Sequence, residues 1–111
     1  MLFSISEPDW KLFRRLQSIA LDRFCQRVLA DIDRVSMDAS KTSHERYLEI
    51  FKLIERRDKE LANAFDNPRR SAAVQQLATI RSLDLLTADE MSDFSAQTRD
   101  AVQFLLGTER S

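Results

Sequence analysis

The chain has a single glycine, Gly107, and only two prolines among its 111 residues. Tight β-turns draw heavily on these two residue types, so a sheet protein with many hairpins would need more of them. The shortage predicts an all-α fold in which aspartate and asparagine supply most of the turns. Since 43% of the residues are hydrophobic and the length is that of one typical domain, the sequence predicts a single helical domain over residues 1–111.

Hydrophobic periodicity and capping signals predict a bundle of about five helices. Two long antiparallel helices are expected at about 7–36 and 43–65, and three shorter ones, at about 68–83, 88–94 and 96–106, should pack across them.

The predicted helix starts rest on recognisable caps. Thr42 and Thr87 each precede a glutamate by three positions, which is the spacing of a capping box. Ser6 and Ser95 can cap the first and fifth helices, and Asn67 can cap the third.

The predicted helix ends are less strongly marked. Asp84 stands where a turn glycine would usually follow the third helix, and Gly107 is expected to end the fifth.

The first helix has two apolar faces, and the change of face falls near Ala20. The helix therefore either bends there or packs its two halves against different partners. Thirty residues would span about 45 Å, which exceeds the roughly 30 Å width of a small domain. Part of this helix is expected to overhang and to contact a second copy of the chain. The residues assigned to this interface are Trp10, Leu12, Phe13, Leu16 and Ile19. The alternative places Trp10 and Phe13 in the core of the bundle.

Asp58 is anomalous because it lies in the middle of the apolar face of the second helix. An unpaired buried carboxylate is costly, so Asp58 is expected to form an internal ion pair. Arg70 and Arg81 lie on the apolar face of the third helix and are the predicted partners, with Arg23 as an alternative. The pair either fixes the helix register or belongs to a polar pocket that binds a small anionic ligand or peptide.

The net charge is −1, so no overall field draws the chain toward nucleic acid or an anionic membrane. The stretch 11–81 has 15 basic and 10 acidic residues, whereas 82–111 has 2 and 6. The two parts are expected to attract each other within one fold, although the basic part could also serve a nucleic-acid or membrane accessory role. A helix-turn-helix is not expected, since the helix after Thr87 is acidic and phosphates would repel it.

Residues for catalysis or metal binding are scarce. His44 is the single histidine and Cys25 the single cysteine, so neither a zinc site nor a disulfide framework can be assembled within one chain. Cys25 is expected in the core, because its neighbours at helical spacing are apolar. One glycine cannot form a phosphate-binding loop. The sequence thus predicts no cofactor and no enzymatic activity.

Three functions remain from the sequence. The first is a non-enzymatic interaction module that forms a homodimer through the first helix or binds another protein. The second is a ligand binder at Asp58, Arg70 and Arg81, and the third is the nucleic-acid or membrane accessory role. With neither a signal peptide nor a membrane-spanning segment in the sequence, a cytoplasmic location is expected.

Overall fold

The computed structural model describes residues 5–110, with side chains as far as Gly107. It is all-α, and no strand occurs within this range. The helices are α1 (Glu7–Ser36), α2 (Ser43–Phe65), α3 (Ala73–Ser82), α4 (Ala88–Ser92) and α5 (Ala96–Arg110), and a short 3₁₀ turn at Arg70–Ala72 leads into α3. The predicted fold class and the bounds of the two long helices are confirmed.

Side-chain caps begin four of the helices as the sequence predicts. Thr42 and Thr87 both form complete capping boxes with their glutamates, at α2 and α4. Ser6 accepts the backbone N–H of Asp9 at α1, and Ser95 Oγ accepts the backbone N–H of Thr98 at α5. Each cap satisfies a backbone donor that the first turn of a helix leaves unpaired.

The third helix begins later than predicted. Asn67 has a φ of 51°, so it occupies the left-handed region that asparagine tolerates and not the extended conformation of an N-cap. Pro68 consequently lies in the connection, and α3 is preceded by Ala72 without a side-chain cap. The prediction for Asn67 was wrong because a residue that favours caps also favours left-handed turns.

Asp84 and Gly107 were both predicted to follow the end of a helix, and only Asp84 does so. Asp84 has a φ of 59° and forms the turn after α3 as expected. Gly107 does not adopt a positive φ, and α5 continues through it to Arg110. A glycine within a helix costs only about 1 kcal/mol relative to alanine, so it need not end one.

The core is formed by the first half of α1, by α3 and α5, and by the connections around them. The largest fully buried side chains are Phe13, Val74, Leu77, Ile80, Leu85 and Val102. Phe24 and Phe65 meet edge to face at the margin of this core, with ring centroids 6.0 Å apart.

Asp9 is a buried carboxylate that joins α1 to α5. It accepts hydrogen bonds from the Ser95 and Thr98 hydroxyl groups, each at 2.6 Å, and from the Ser95 backbone N–H at 3.2 Å. Burial alone would raise the pKa of Asp9, but the hydrogen bonds from Ser95 and Thr98 outweigh it and lower the pKa below its ordinary value. Asp9 is therefore held ionised at the start of α5, where a negative charge is favoured by the helix dipole.

The molecule is elongated, with extents of 52 × 27 × 23 Å and a radius of gyration of 16.8 Å. A compact chain of this length would have a radius of gyration of about 13 Å. In α1 no residue after Phe24 is buried, and in α2 only Leu53 is buried before Ala64. We call residues 25–63 the arm and the remaining described residues the body.

Candidate functional site

The predicted site at Asp58, Arg70 and Arg81 is not assembled. Asp58 is exposed and forms no ion pair among the described residues. Arg70 donates to the Ile5 carbonyl at 3.0 Å and to Glu7 at 2.9 Å, and Arg81 donates to the Leu86 carbonyl. The predicted ion pair was wrong because the extended connection after α2 displaces α3, which packs mainly against α5.

The alternative partner of Asp58, Arg23, is also engaged elsewhere. Its guanidinium binds both carboxylate oxygens of Glu90, at 2.7 and 2.9 Å, and donates to the Leu85 carbonyl at 2.8 Å. This contact and the Thr87 cap lower the pKa of Glu90 to about 2. Arg23 therefore attaches α1 to α4 and does not reach α2.

The residues predicted to form the interface belong mostly to the body. Phe13 and Leu16 are buried, and Trp10 and Leu12 pack against the core. Trp10 stacks on Phe13 with centroids 5.7 Å apart. Only Ile19 is exposed. The predicted location of the interface is therefore corrected, since the first half of α1 uses its apolar face within the chain.

Exposed apolar residues are concentrated instead on the arm. Leu29 on α1 is 60% exposed, and on α2 Tyr47, Phe51 and Ile54 are 65%, 53% and 47% exposed. The last three lie within about 60° of one another around the axis of α2, at a rotation of 100° per residue. These four residues, with the half-buried Cys25, Val28, Ile32, Ile50 and Leu61 beside them, form the arm face.

A groove between the two helices runs along the arm face. It is lined by Phe24, Cys25, Val28, Leu29, Ile32, Ile54, Arg57, Asp58 and Leu61. The Arg57 guanidinium is occupied by Asp31 and Glu60, at 3.0 and 3.3 Å. Asp58 thus lies among apolar side chains that are themselves open to solvent. Its carboxylate is not buried, so the cost of burial that led to the predicted ion pair does not arise. Cys25, expected in the core, is half-buried at the edge of this groove.

The opposite side of the same two helices is strongly charged. A second groove there is lined by Asp31, Arg34, Val35, Glu49, Lys52, Leu53, Arg56 and Arg57. Asp31 bridges Arg34 and Arg57, at 2.9 and 3.0 Å, and these two contacts lower the pKa of Asp31. The arm is therefore amphipathic as a unit, with one apolar side and one solvated side.

A third groove lies in the body, between α4 and α5. It is lined by Arg81, Ala88, Met91, Ser92, Arg99, Val102, Gln103 and Leu106. It combines two guanidinium groups with apolar side chains, and none of the described side chains that line it is acidic. Arg81 is the one member of the predicted ligand site that lies in it.

The residues with catalytic potential do not form a group. Cys25 lies among apolar side chains in the arm groove, and His44 is exposed in the first turn of α2. Over residues 5–110 no three His, Cys, Asp or Glu side chains are placed to hold a metal ion. None of the helices in that range combines the length and apolar content needed to cross a membrane.

Two features of these sites were missed from the sequence. The face of α2 was interpreted as buried, although a helix of 23 residues spans about 35 Å and extends past a small body. The α4–α5 groove has a weaker signal in the sequence. That signal is the i, i+3, i+4 and i+7 spacing of Arg99, Val102, Gln103 and Leu106, which places these residues on one stripe of α5.

Comparisons with protein-family models, with curated proteins and with solved structures found no match to this chain.

Proposed function

We propose that this chain is a non-enzymatic interaction module that self-associates through the arm face. Two arms would pack face to face and complete a four-helix bundle, since each arm supplies two antiparallel helices with one open apolar side. The observation that carries the proposal is the set of large side chains left exposed on one side of the arm. We place the dimer in the cytoplasm, where a partly exposed thiol such as Cys25 stays reduced.

The size of the arm face supports a specific contact. Tyr47 and Phe51 each leave about 100 Å² of aromatic surface open, and with Leu29 and Ile54 the open area is on the order of 400 Å². The half-buried residues between them add to this area. The open area of the four exposed residues is about half of the roughly 800 Å² that each partner contributes to a standard interface, and it is comparable to the largest apolar patches of monomers, which are often functional.

The charges around the arm face favour protein over a membrane or nucleic acid. Asp22 and Asp33 flank Leu29 on α1, and Asp58 lies on the α2 part of the face. Anionic lipid head groups and nucleic-acid phosphates would meet these carboxylates and be repelled. A second copy is not repelled by a large overall charge, because the net charge of the chain is only −1.

The same charges favour one pairing of helices. If α1 packed on α1 of the partner, Asp22 and Asp33 would face their own copies, and like charges in an interface are costly. The outer edge of α2 carries Glu55 and Lys59 and is close to neutral. Packing α1 of one chain on the outer edge of α2 of the other keeps Asp22 and Asp33 away from their own copies, and a two-fold axis would repeat this contact twice.

The test is the molar mass in solution, measured by light scattering or sedimentation between about 1 and 500 µM, a range that covers the micromolar affinities of moderate interfaces. The wild-type chain is expected to shift from one-chain to two-chain mass. Ile54→Lys, at an exposed position, should leave the helical content unchanged and hold the mass at one chain. Met37→Lys is the matched control, since Met37 is 79% exposed but lies at the tip of the arm.

Two results would contradict the proposal. One is a wild-type mass of one chain throughout the range. The other is equal association by the wild-type chain and the Ile54→Lys variant, which would place the contact elsewhere on the surface.

A further inference from the structure

The groove between α4 and α5 is built from two stripes of side chains. On α4 the stripe is Ala88, Met91 and Ser92, and on α5 it is Arg99, Val102, Gln103 and Leu106. Both follow the spacing that places residues on one side of a helix. The groove therefore follows from the packing of the two helices and does not depend on a loop conformation.

The floor of the groove is apolar and continuous with the core. Val102 is buried, and Met91 and Leu106 pack against the core cluster. Since these side chains are held from below, the floor presents a fixed apolar surface to the open side of the groove.

The walls of the groove are cationic. Arg81 is half-buried, and its guanidinium is positioned by the hydrogen bond to the Leu86 carbonyl, which leaves other N–H groups available. Arg99 is exposed and forms no ion pair among the described residues. Among the side chains that the structure describes, as far as Gly107, no carboxylate lines the groove to neutralise these two charges.

We propose that this groove binds an aliphatic monocarboxylate. Guanidinium groups match a carboxylate in geometry and charge, and an aliphatic chain can cover the floor formed by Met91, Val102 and Leu106. The groove has a volume of about 280 Å³, near the lower limit of about 300 Å³ for small-molecule pockets, so a chain of medium length is the expected ligand. The side-chain amide of Gln103 supplies a further hydrogen-bond donor at its edge.

The experiment is a titration of the full chain with sodium octanoate, followed by calorimetry and by backbone amide shifts. Acetate and 1-octanol serve as probes that each lack one of the two recognised features. Octanoate is expected to bind and to shift amides of α4 and α5, whereas acetate and octanol should each bind at least about tenfold more weakly.

Single-residue variants distinguish binding at this groove from effects of the arm face. Arg99→Gln, at an exposed position, should weaken octanoate binding by about tenfold or more, the scale of one lost charged hydrogen bond. Lys11→Gln removes an exposed cation elsewhere on the body and should leave binding unchanged. Ile54→Lys should also leave it unchanged, so the outcome is independent of self-association.

Three results would overturn the assignment. They are the absence of octanoate binding at millimolar concentration, equal affinity for octanol and octanoate, and amide shifts confined to the arm groove.

Discussion

In the body, Leu77 and Ile80 are each 1% exposed, whereas in the arm Tyr47 and Phe51 are more than half exposed. All four residues lie on regular helices whose apolar residues recur at helical spacing. The difference is that α3 is covered by other elements and the distal halves of α1 and α2 cover only each other. Apolar residues at helical spacing therefore mark a face that can be covered, and only the packing shows whether the same chain covers it.

The largest effect is expected from truncation in the body. Leu77→Ala should lower the free energy of unfolding by about 2–5 kcal/mol, because it removes a buried side chain and leaves a cavity. Leu29→Ala is the matched change in the arm and should cost less than about 1 kcal/mol in the monomer. Urea unfolding at low micromolar concentration, where association contributes least, measures both. Equal losses in the free energy of unfolding for the two variants would contradict the distinction between a buried body and an exposed arm.

Asp9→Ala should have the next largest effect, a loss of about 1–3 kcal/mol, because the Ser95 and Thr98 donors lose their acceptor. The pKa of Asp9 is lowered in the folded chain, so its contribution is complete well above the unfolded value of 3.8 and disappears as the pH falls below it. The wild-type chain should thus lose more stability than the variant between pH 5 and pH 2. A series of urea unfolding curves over this pH range measures the difference. Parallel pH profiles would show that Asp9 is not held by these hydrogen bonds.

The contact between α1 and α4 in the body should respond through the pKa of Glu90. Its folded value of about 2 lies below the ordinary value, so the contact with Arg23 stabilises the chain at neutral pH and weakens as the pH falls toward 2. Arg23→Gln should raise the pKa of Glu90 toward 4.5, the ordinary value, as followed by NMR titration of the side-chain carboxyl carbon. Lys52→Gln, in the arm, should leave that titration unchanged. No rise in the Arg23 variant would mean that the Thr87 cap alone holds the carboxylate.

The smallest effect on the monomer is expected at Asp58. Since this carboxylate is exposed, Asp58→Ala should change the free energy of unfolding by no more than about 0.5 kcal/mol. A loss of about 3–5 kcal/mol in urea unfolding at low concentration would instead indicate a buried ion pair and a different packing of α2.

The local features of the fold were largely predictable. Thr42, Thr87 and Asp84 were assigned correctly because caps and left-handed turns are decided by a few neighbouring residues. Asn67 was assigned incorrectly because the same side chain suits both a cap and a turn, and its neighbours do not distinguish them. Gly107 shows the same limit, since a glycine can end a helix or be carried within one.

The sites were much less predictable, because they depend on which elements meet. Arg23, Arg70 and Arg81 were all candidates to pair with Asp58, and each binds a different group in the structure. A long arginine side chain reaches whichever acceptor the packing brings near it, and helix register over tens of residues is not encoded in local spacing. The groove between α4 and α5 likewise exists only once both helices are placed.

By itself, the sequence determined that this chain is helical, where its two long helices begin and end, and which stripes of those helices are apolar. These properties depend on hydrogen bonds and side-chain preferences within a few residues. The tertiary structure decided that the apolar stripe of α1 is buried before Phe24 and left half-open after it, and that Asp58 faces solvent. The physical reason is that burial depends on how far the neighbouring elements extend, and α3 to α5 do not extend along the arm.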